Sequence, residues 1–408
     1  MQQIIHLQKN SRLRGTVNKL PASKSISNRV LIIQALCPSP AELHNLSDAN
    51  DTVLMQRLLQ SGEHTLDAED AGTTMRFLTA YLAVTGKQKT LTGTERMQRR
   101  PIKLLVDALR ALGASIEYLN EEGYPPLRIH GIKASETNTL SIRGDVSSQY
   151  ISALMMIAPR LPQGLVINLE GHVGSRPYIE MTASLMRLFG ADVTVEEQSV
   201  VVKAGAYKPR TYTVESDWSA ASYWYAFTAL ADEADIVLPE MTVRSLQGDR
   251  VIMDMMEQLG VMTQPRGSNL LLMKIPSRDS FSWDFTHCPD LAQTVAVVCA
   301  AKNIRAEFTG LQSLRIKETD RIKALQQELA KLGAQLLEED NRWTLIPAPS
   351  VPEFIDPIHT YLDHRMAMAF APLATMRDIV IEDPMVVRKS YPKFWEGMKG
   401  MGFNLTFA

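Results

Sequence analysis

Hydroxyl side chains and cations occur together at several points of this 408-residue chain, each directly before a stretch typical of a helix. In residues 21–29, three serines stand beside Lys24 and Arg29, and an apolar run follows. A helix N-terminus offers unpaired N–H groups and roughly half a positive charge, so phosphates and carboxylates bind there. Adjacent lysine and arginine would complete such an oxyanion site. The alternative is an ordinary serine cap with solvated cations, and the lack of Gly-x-x-x-x-Gly-Lys argues against a nucleotide triphosphatase.

Six further segments share this character and lie at residues 70–76, 95–101, 146–150, 174–178, 315–321 and 363–368. Gly72, in the first of them, would let a ligand approach the backbone closely. The second places three arginines ahead of Pro101, a residue that suits the first turn of a helix. The alternative there is a solvated run of charges. Together these segments predict a protein that binds small anions at several helix starts.

Acid–base chemistry has one candidate in these segments. Glu318 lies between Lys317 and Arg321, so its carboxylate is either a structural counter-ion or a group that moves a proton. Asp363 can cap the helix that follows it, and Arg365 can then face a ligand. A metal role for His364 is not indicated, because no second histidine or cysteine stands at ligand spacing. No metal centre is predicted.

Helices that end in glycine repeat along the chain and would position these segments. Amphipathic stretches end in an apolar residue and a glycine at positions 62, 113, 190, 260, 333 and 402, of which the first and last are the weakest. Four of the five intervals are close to 70 residues. Glycine suits this place because it adopts positive φ at no steric cost. The spacing predicts six α/β units in two groups of three, unless Leu-Gly-Ala is only a common helix exit.

Composition excludes several classes of protein. Hydrophobic residues make up 45% and charged ones 22%, which is typical of a globular chain of two or three domains. The net charge of −2 provides no field for nucleic acid or for a polybasic membrane anchor. Three widely spaced cysteines exclude a disulfide scaffold. Since the apolar stretches are too short to span a membrane and the start is unlike a signal peptide, the sequence predicts a soluble cytoplasmic protein.

The charged segments, taken in order, resemble those of the 5-enolpyruvylshikimate-3-phosphate (EPSP) synthases. The motifs that carry the likeness are Pro-Ala-Ser-Lys-Ser-Ile-Ser-Asn-Arg, Ala-Gly-Thr-Thr-Met-Arg, Ser-Ser-Gln, Arg-Ile-Lys-Glu-Thr-Asp-Arg and Asp-His-Arg-Met-Ala-Met. The likeness extends over residues 21–392, and the last two motifs are highly specific when they occur together.

This resemblance implies an α/β (α+β) fold, an inverted α/β barrel-like arrangement of two domains. Each domain would contain three βαβαββ repeats, and the active site would lie in the interdomain cleft. The implied domains are residues 22–215 and a discontinuous domain formed by residues 1–21 and 216–408.

The implied reaction transfers the enolpyruvyl group of phosphoenolpyruvate to the 5-hydroxyl of shikimate 3-phosphate and releases phosphate, through a tetrahedral intermediate. It belongs to the shikimate pathway of aromatic amino-acid biosynthesis. Such a step needs a base for the hydroxyl, an acid for the methylene carbon, and cations for the phosphates and carboxylates. No cofactor is implied. The expected partners are the two small substrates, with no nucleic acid, no membrane and a monomeric chain.

Matching of motif positions implies the site residues. Asp290 corresponds to the family's proton acceptor, Glu318 to the group associated with protonation of the methylene carbon, and Lys24 to a further catalytic residue. Shikimate 3-phosphate would bind Lys24, Ser25, Arg29, Ser147, Ser148, Gln149, Ser175, Tyr178, Asp290, Ser313 and Lys317. Phosphoenolpyruvate would bind Lys24, Gly72, Arg100, Gln149, Arg321, Arg365 and Lys389. Which carboxylate gives or takes which proton stays open.

Three positions depart from the family pattern. Asp70 stands where many relatives have asparagine, Ser313 where an asparagine contacts substrate, and Phe77 where proline is common. An aspartate at position 70 adds negative charge near an anion site. We therefore expect it to pair with a cation or to point away.

Two alternatives remain open. UDP-N-acetylglucosamine enolpyruvyl transferase shares the fold and the enolpyruvyl donor, but its mobile loop carries a cysteine that residues 95–101 lack. A non-catalytic anion-binding protein on this fold would be expected to lose Asp290 and Glu318, and both are present.

Overall fold

Helices and strands alternate along the chain in a computed structural model that describes residues 3–40, 42–133, 137–145, 147–350, 352–353 and 355–408. The chain divides into two units. A central unit runs from Ala22 to Val214, and a discontinuous unit combines Met1–Pro21 with Glu215–Ala408. Glu215 thus lies in the discontinuous unit, whereas the sequence-based division placed it in the central one.

The α-helices of the described residues are α1 (Lys24–Leu36), α2 (Asn50–Gln60), α3 (Gly72–Thr85), α4 (Glu95–Gln98), α5 (Lys103–Ala111), α6 (Ser148–Ile157), α7 (Arg176–Leu188), α8 (Trp218–Leu230), α9 (Ile252–Gln258), α10 (Ala292–Ala301), α11 (Arg321–Lys331), α12 (His364–Phe370) and α13 (Phe394–Gly400). Among these described helices, none is both long and apolar enough to cross a membrane.

The strands over the same residues are β1 (Ile4–Leu7), β2 (Arg12–Thr16), β3 (Leu43–His44), β4 (Thr65–Asp67), β5 (Lys89–Thr92), β6 (Ala114–Tyr118), β7 (Leu127–Ile132), β8 (Thr139–Arg143), β9 (Leu165–Glu170), β10 (Val193–Val195), β11 (Ser199–Val202), β12 (Tyr212–Thr213), β13 (Glu233–Leu238), β14 (Val261–Arg266), β15 (Asn269–Lys274), β16 (Ser280–Asp284), β17 (Arg305–Thr309), β18 (Gln335–Glu339), β19 (Arg342–Ile346), β20 (Ile379–Glu382) and β21 (Leu405–Phe407).

Four sheets repeat one topology. Their strand orders are β4-β5-β7-β6, β10-β11-β9-β8, β14-β15-β13-β2 and β16-β17-β19-β18. Each contains one parallel pair, such as β16 with β17, and two antiparallel pairs. Helices connect the strands of each sheet in the order βαβαββ, with both α4 and α5 between β5 and β6, and with the central unit inserted between β2 and α8. The first two sheets belong to the central unit and the last two to the discontinuous unit.

Each unit also contains a smaller copy. In the central unit β12 and β3 form a two-stranded parallel sheet. In the discontinuous unit β1 lies between β20 and β21, and Ile358 forms an isolated parallel bridge to Ile381. The six predicted units therefore comprise four full βαβαββ repeats and two shorter ones.

The parallel pairs explain why charged helix starts come together. In a βαβαββ repeat, both helices follow strands that run in the same direction, so both begin at the same edge of the sheet. Thus α10 follows β16 and α11 follows β17, while α6 follows β8 and α7 follows β9. The starts of α6, α7 and α11 lie in segments that the sequence singles out for anion binding, and Asp290, before α10, is a residue that the family resemblance implies.

The core of the discontinuous unit is built on helices that are apolar on every side. Every described residue of α10 is buried, and so are all of α8 except Ser219. Trp224 on α8 packs against Phe227 and Phe394, with ring centres 5.1 and 6.5 Å away. Such all-round burial is typical of a central helix. It gives rigid support to the polar residues at the helix starts.

The repeated glycines adopt the predicted left-handed backbone at five of the six positions. Their φ values are +86°, +84°, +101°, +76° and +87° at positions 113, 190, 260, 333 and 402. The prediction is wrong for Gly62, which does not have positive φ. There α2 is followed by Ser61 in an extended conformation, so the chain leaves the helix one residue earlier.

We expect Gly260→Ala to lower the free energy of unfolding by about 1–3 kcal/mol, because φ is +101° and a Cβ would lie 2.8 Å from the carbonyl oxygen of Ile275. Gly62→Ala is the matched control, since no atom lies within 4 Å of its added Cβ. That change should alter stability by less than about 1 kcal/mol. Urea unfolding of both variants measures the difference. Equal stability of the two variants would show that the left-handed cap contributes nothing.

Candidate active site

Lys24 opens helix α1 in the central unit. Ser23 caps this helix by accepting a hydrogen bond from the Ile26 amide at 3.4 Å. The Lys24 ammonium lies 3.5 Å from Asp51 Oδ2, and both side chains are largely buried. Asp51 is a residue that sequence reasoning missed, because it lies on α2 and no pattern near Lys24 points to it.

Arg29 is buried at the centre of a group of neutral polar side chains. Its Nε donates to Thr182 Oγ1 at 2.7 Å and its Nη2 to Ser152 Oγ at 3.0 Å, which links α1 to α6 and α7. Burial lowers the pKa of Arg29 to about 10, although Tyr178 opposes the shift. Within the described residues, none of its hydrogen bonds goes to a carboxylate. A guanidinium held in this way keeps its charge available for an anion.

Two other predicted residues lie against Arg29. Its Nη1 donates to the Ser25 carbonyl oxygen at 2.9 Å. Its guanidinium carbon lies 5.8 Å from the centre of the Tyr178 ring. The structure thus brings Ser25, Arg29 and Tyr178 together, as expected for one binding region.

Gln149 connects the starts of α6 and α3. Its Oε1 accepts from Arg76 Nη1 at 2.9 Å, and its Nε2 donates to Thr73 Oγ1 at 3.0 Å. Ser147 caps α6 and accepts from the Gln149 amide at 3.4 Å. Arg76 was not assigned a role from sequence. The signal was available, because it lies one helical turn after Gly72 and so faces the same side.

Gly72 faces two guanidinium groups. A Cβ at this position would lie 2.7 Å from Arg76 Nη1 and 2.8 Å from Arg100 Nη1. The prediction that Pro101 occupies the first turn of a helix is wrong, since α5 starts at Lys103 with Ile102 before it. Arg100 therefore extends from a loop between two helices. Gly72 and Arg100 therefore lie side by side.

Asp70 interacts with a hydroxyl group of the following loop. Its Oδ1 accepts a hydrogen bond from the Thr94 hydroxyl. Thr94 in turn caps α4 by accepting from the Met97 amide at 3.3 Å. The aspartate therefore supports the short helix that precedes Arg100.

Two further predicted serines lie at helix starts. Ser148 is the first residue of α6 and is buried. Ser175 directly precedes α7 and has φ +53°, a left-handed conformation that is uncommon outside glycine. Of the segment 146–150, Val146 lies outside the described residues.

Arg321 is the centre of the charged cluster in the discontinuous unit. It is 2% exposed. Its Nη1 donates to Asp290 Oδ1 at 3.0 Å, its Nη2 to Glu318 Oε2 at 2.7 Å, and its Nε to Asp363 Oδ2 at 2.7 Å. Asp290 lies in a 3-10 helix before α10, Glu318 before α11, and Asp363 caps α12. One guanidinium thus joins three helix starts.

Arg365 and Lys389 hold the other oxygens of the two predicted catalytic carboxylates. Arg365 Nη2 donates to Asp290 Oδ2 at 2.8 Å. Lys389 Nζ lies 3.2 Å from Glu318 Oε1. Asp290 and Glu318 are therefore each held by two cations.

The electrostatics of this cluster favour the ionised form of Asp290. Burial would raise the pKa of Asp290, but Arg365, Lys317 and Arg321 outweigh it and hold that pKa well below its usual range. Burial lowers the pKa of Lys317, and Asp290 opposes this shift. Four cations, Lys317, Arg321, Arg365 and Lys389, lie in this cluster with the carboxylates of Asp290, Glu318 and Asp363. Ser313 lies in the 3-10 helix Gln312–Ile316, next to this cluster in sequence.

Comparison with known proteins places the chain in a family. The sequence model of the family described as "EPSP synthase (3-phosphoshikimate 1-carboxyvinyltransferase)" matches residues 7–62 and 56–398. The chain belongs to the EPSP synthase family. Membership confirms the predicted activity, enolpyruvyl transfer in the shikimate pathway, and decides against the non-catalytic alternative and the UDP-N-acetylglucosamine enzyme.

Individual relatives align with nearly the whole of this chain. A 3-phosphoshikimate 1-carboxyvinyltransferase of Bacteroides fragilis (strain YCH46) is 48% identical over 399 residues, which cover 97% of each chain. One from Cellvibrio japonicus is 38% identical and covers 97% of this chain and 98% of its own. The EPSP synthase structure from Acinetobacter baumannii aligns over 100% of both chains, with a TM-score of 0.79 and 20% identity. This likeness confirms the predicted fold class.

We expect Gly72→Ala to raise the KM for phosphoenolpyruvate roughly tenfold or more, since losing one charge-assisted contact costs about 1.5–3 kcal/mol. The new methyl group would push the guanidinium ends of Arg76 and Arg100 away from their places. Because only flexible side-chain ends move, the thermal midpoint should change little. Gly205→Ala, where a Cβ meets no atom within 4 Å, is the control. An unchanged KM, measured by initial rates of phosphate release, would contradict the assignment of Gly72.

Proposed function

We propose that the two clusters described above bind the substrates of the enolpyruvyl transfer, and that Asp290 takes the proton from the 5-hydroxyl of shikimate 3-phosphate. The observation that carries this proposal is the shared guanidinium of Arg321, which holds Asp290 and Glu318 at 3.0 and 2.7 Å. Two carboxylates fixed by the same group suit a reaction that removes one proton and adds another.

Shikimate 3-phosphate is proposed to bind mainly through its phosphate. Each phosphate monoester carries about −1.5 to −2 charges at neutral pH. The buried Arg29 with its neutral partners supports this proposal, as do the helix starts at Ser147 and Ser175. The full proposed set is Lys24, Ser25, Arg29, Ser147, Ser148, Gln149, Ser175, Tyr178, Asp290, Ser313 and Lys317.

Phosphoenolpyruvate carries a carboxylate and a phosphate on adjacent atoms, and arginine pairs match such groups. The nearness of Gly72 to Arg100 supports the proposal in the central unit. In the discontinuous unit, Arg365 contacts Asp290 and Lys389 contacts Glu318, so both cations lie at the proposed catalytic carboxylates. The full proposed set is Lys24, Gly72, Arg100, Gln149, Arg321, Arg365 and Lys389.

Binding of this anion would change the basicity of Asp290. At rest, Arg321 and Arg365 hold both of its oxygens, so the carboxylate is a weak base. A bound carboxylate or phosphate competes for these guanidinium groups, because each has a limited number of N–H donors. Asp290 then regains basicity when the substrate is in place. The hydroxyl oxygen attacks C2 of phosphoenolpyruvate as Asp290 takes its proton. The same competition for Arg321 and Lys389 lets Glu318 take up a proton from water, and Glu318 supplies this proton to the methylene carbon, which becomes a methyl group.

The second half of the reaction restores the double bond. The methyl group of the tetrahedral adduct loses a proton and the C2–O bond to phosphate breaks. The departing phosphate keeps the bonding electrons and takes up the proton that Asp290 had removed. Ionised Glu318 is placed to take that proton back. Lys389, 3.2 Å from Glu318, would stabilise its ionised form.

We further propose that the chain works as a cytoplasmic monomer without nucleic-acid or membrane partners. The net charge of −2 supports this. Light scattering should then give a mass near 45.5 kDa in the presence and absence of both substrates. A mass twice as large would contradict the monomer.

We expect Asp290→Asn to reduce kcat roughly 10²- to 10⁴-fold, the usual contribution of a general base. The amide cannot accept the hydroxyl proton, but it preserves the shape of the side chain, so shikimate 3-phosphate should still bind. Calorimetry measures the binding and phosphate release measures the turnover. Asp279→Asn, an exposed aspartate before β16, serves as the control. Turnover within a factor of about three of the control would remove Asp290 from the role of base.

A further inference from the structure

Asp249 is a buried carboxylate close to Asp290, the proposed catalytic base. It lies in the 3-10 helix Gly248–Val251 of the discontinuous unit and is 4% exposed. Its Oδ2 accepts a hydrogen bond from the Ser219 hydroxyl, at the start of α8. Within the described residues, no donor reaches its Oδ1. Burying a carboxylate with one oxygen unsatisfied is costly, so a position of this kind calls for an explanation.

A chain of contacts connects Asp249 to Asp290. The Ser219 hydroxyl that donates to Asp249 also accepts from Arg365 Nη2 at 3.5 Å. The same nitrogen donates to Asp290 Oδ2 at 2.8 Å. One guanidinium nitrogen is therefore shared between Asp290 and the hydroxyl group that Asp249 holds.

We propose that Asp249, acting through Ser219, positions Arg365 and so sets how strongly this guanidinium holds Asp290. Asp249 is a positioning residue, since it reaches the reacting groups through two others. The inference rests on the proposed role of Asp290 as the proton acceptor. The geometry that supports it is the order Asp249, Ser219, Arg365, Asp290.

The charge of Asp249 determines the direction of the effect. When Asp249 is ionised, it accepts a hydrogen bond from the Ser219 hydroxyl, and a lone pair of the serine oxygen faces Arg365. Arg365 Nη2 is then shared between the Ser219 oxygen and Asp290 Oδ2. In addition, the negative charge of Asp249 disfavours the ionised form of Asp290. Both effects make Asp290 a stronger base. Protonation of Asp249 removes both effects and leaves Arg365 bound mainly to Asp290.

Several charged groups from neighbouring elements face Asp249. Asp290 precedes α10, Arg365 lies on α12 and Asp217 caps α8. The Cys288 thiol, two residues before Asp290, is another titratable group that interacts with Asp249. Burial and Asp290 raise the pKa of Asp249 to about 6, while Arg365 and the Ser219 hydrogen bond oppose the rise. Burial also raises the pKa of Cys288, so this thiol stays protonated.

The resulting pH dependence has a definite sign. Asp290 keeps its charge near neutral pH because its pKa is well below the usual range. Asp249 gains a proton as the pH falls through about 6. The basicity of Asp290, and with it kcat, should therefore fall below this pH.

The test compares Asp249→Asn with Asp254→Asn, an exposed aspartate on α9, in the full-length enzyme. The asparagine keeps an acceptor for Ser219 but has no charge. We expect its kcat at pH 8 to be lower by roughly three- to tenfold, well below the loss of a general base. KM for shikimate 3-phosphate should not change. Substrate phosphates also titrate near pH 6, so the fall in kcat between pH 8 and 5 should be smaller in Asp249→Asn than in the control.

Ser219→Ala provides a second variant that cuts the link and leaves Asp249 in place. It should lower kcat and flatten the pH profile in the same direction but by less than Asp249→Asn, because the negative charge of Asp249 remains. Thermal unfolding establishes that each variant is folded, because a merely structural role would lower the folded fraction and leave the profile unchanged. Profiles of both variants that superimpose on the control would overturn the proposal.

A measurement without turnover separates this inference from the role of Asp290. The guanidinium ¹⁵N signals of Arg365, followed by NMR from pH 5 to 8 without substrates, should shift with a midpoint near 6 in the unmodified enzyme. Asp249→Asn should abolish this shift, and Ser219→Ala should reduce it. If it persists in both variants, Asp249 does not position Arg365. If Asp290→Asn retains turnover instead, the proposed base fails while the Arg365 signals still report the link.

Discussion

The buried guanidinium of Arg321 is the interaction on which the charged cluster of the discontinuous unit depends. Its three nitrogens donate to Asp290, Glu318 and Asp363, which come from the starts of three different helices. A planar group with fixed donor directions defines where each carboxylate lies. Removing one partner of a buried ion pair typically costs about 3–5 kcal/mol. Here one substitution would leave three carboxylates without their shared cation, so this arginine combines a structural task with a proposed binding task.

The sheet topology makes such a meeting of helix starts possible. In each full repeat two parallel strands lead to two helices, and these helices begin at the same edge. The chain can therefore bring polar residues that are 20 or more positions apart in sequence to one edge without a special loop. The same arrangement gives the central unit its Arg29 group and the discontinuous unit its Arg321 group. Repetition of one supersecondary structure thus accounts for two anion-binding clusters in one chain.

Much of this was predictable from sequence. Serine or aspartate followed by an apolar run identifies the starts of α1, α6 and α12, since helix capping is a local interaction. Glycine at a regular spacing identified the helix ends, except at Gly62, where the chain turns one residue earlier through Ser61. Charged motifs identified most of the proposed binding residues, because charge and spacing are visible in a single sequence.

The remaining features depend on distant contacts. Asp51 and Asp249 approach the clusters from elements that are remote in sequence, and no local pattern relates Asp249 to Arg365, 116 positions away. The burial of Asp249 could not be predicted from sequence either, because a polar residue in a short 3-10 helix has the sequence pattern of a surface loop. Sequence therefore indicates which residues carry charge, whereas the structure shows which charges share a partner.

The first two strands of the chain have a consequence for biosynthesis. β2 pairs with β13, and β1 pairs with β20 and β21, so the N-terminal segment completes sheets whose other strands are made much later. At about 5–20 residues per second, β2 waits roughly 10–40 s for β13 to leave the ribosome. The central unit, whose strands all lie between these partners, is complete earlier. During translation the N-terminal strands thus present unpaired edges while the central unit folds, and this stage is the one at which a nascent chain of this topology needs protection from aggregation.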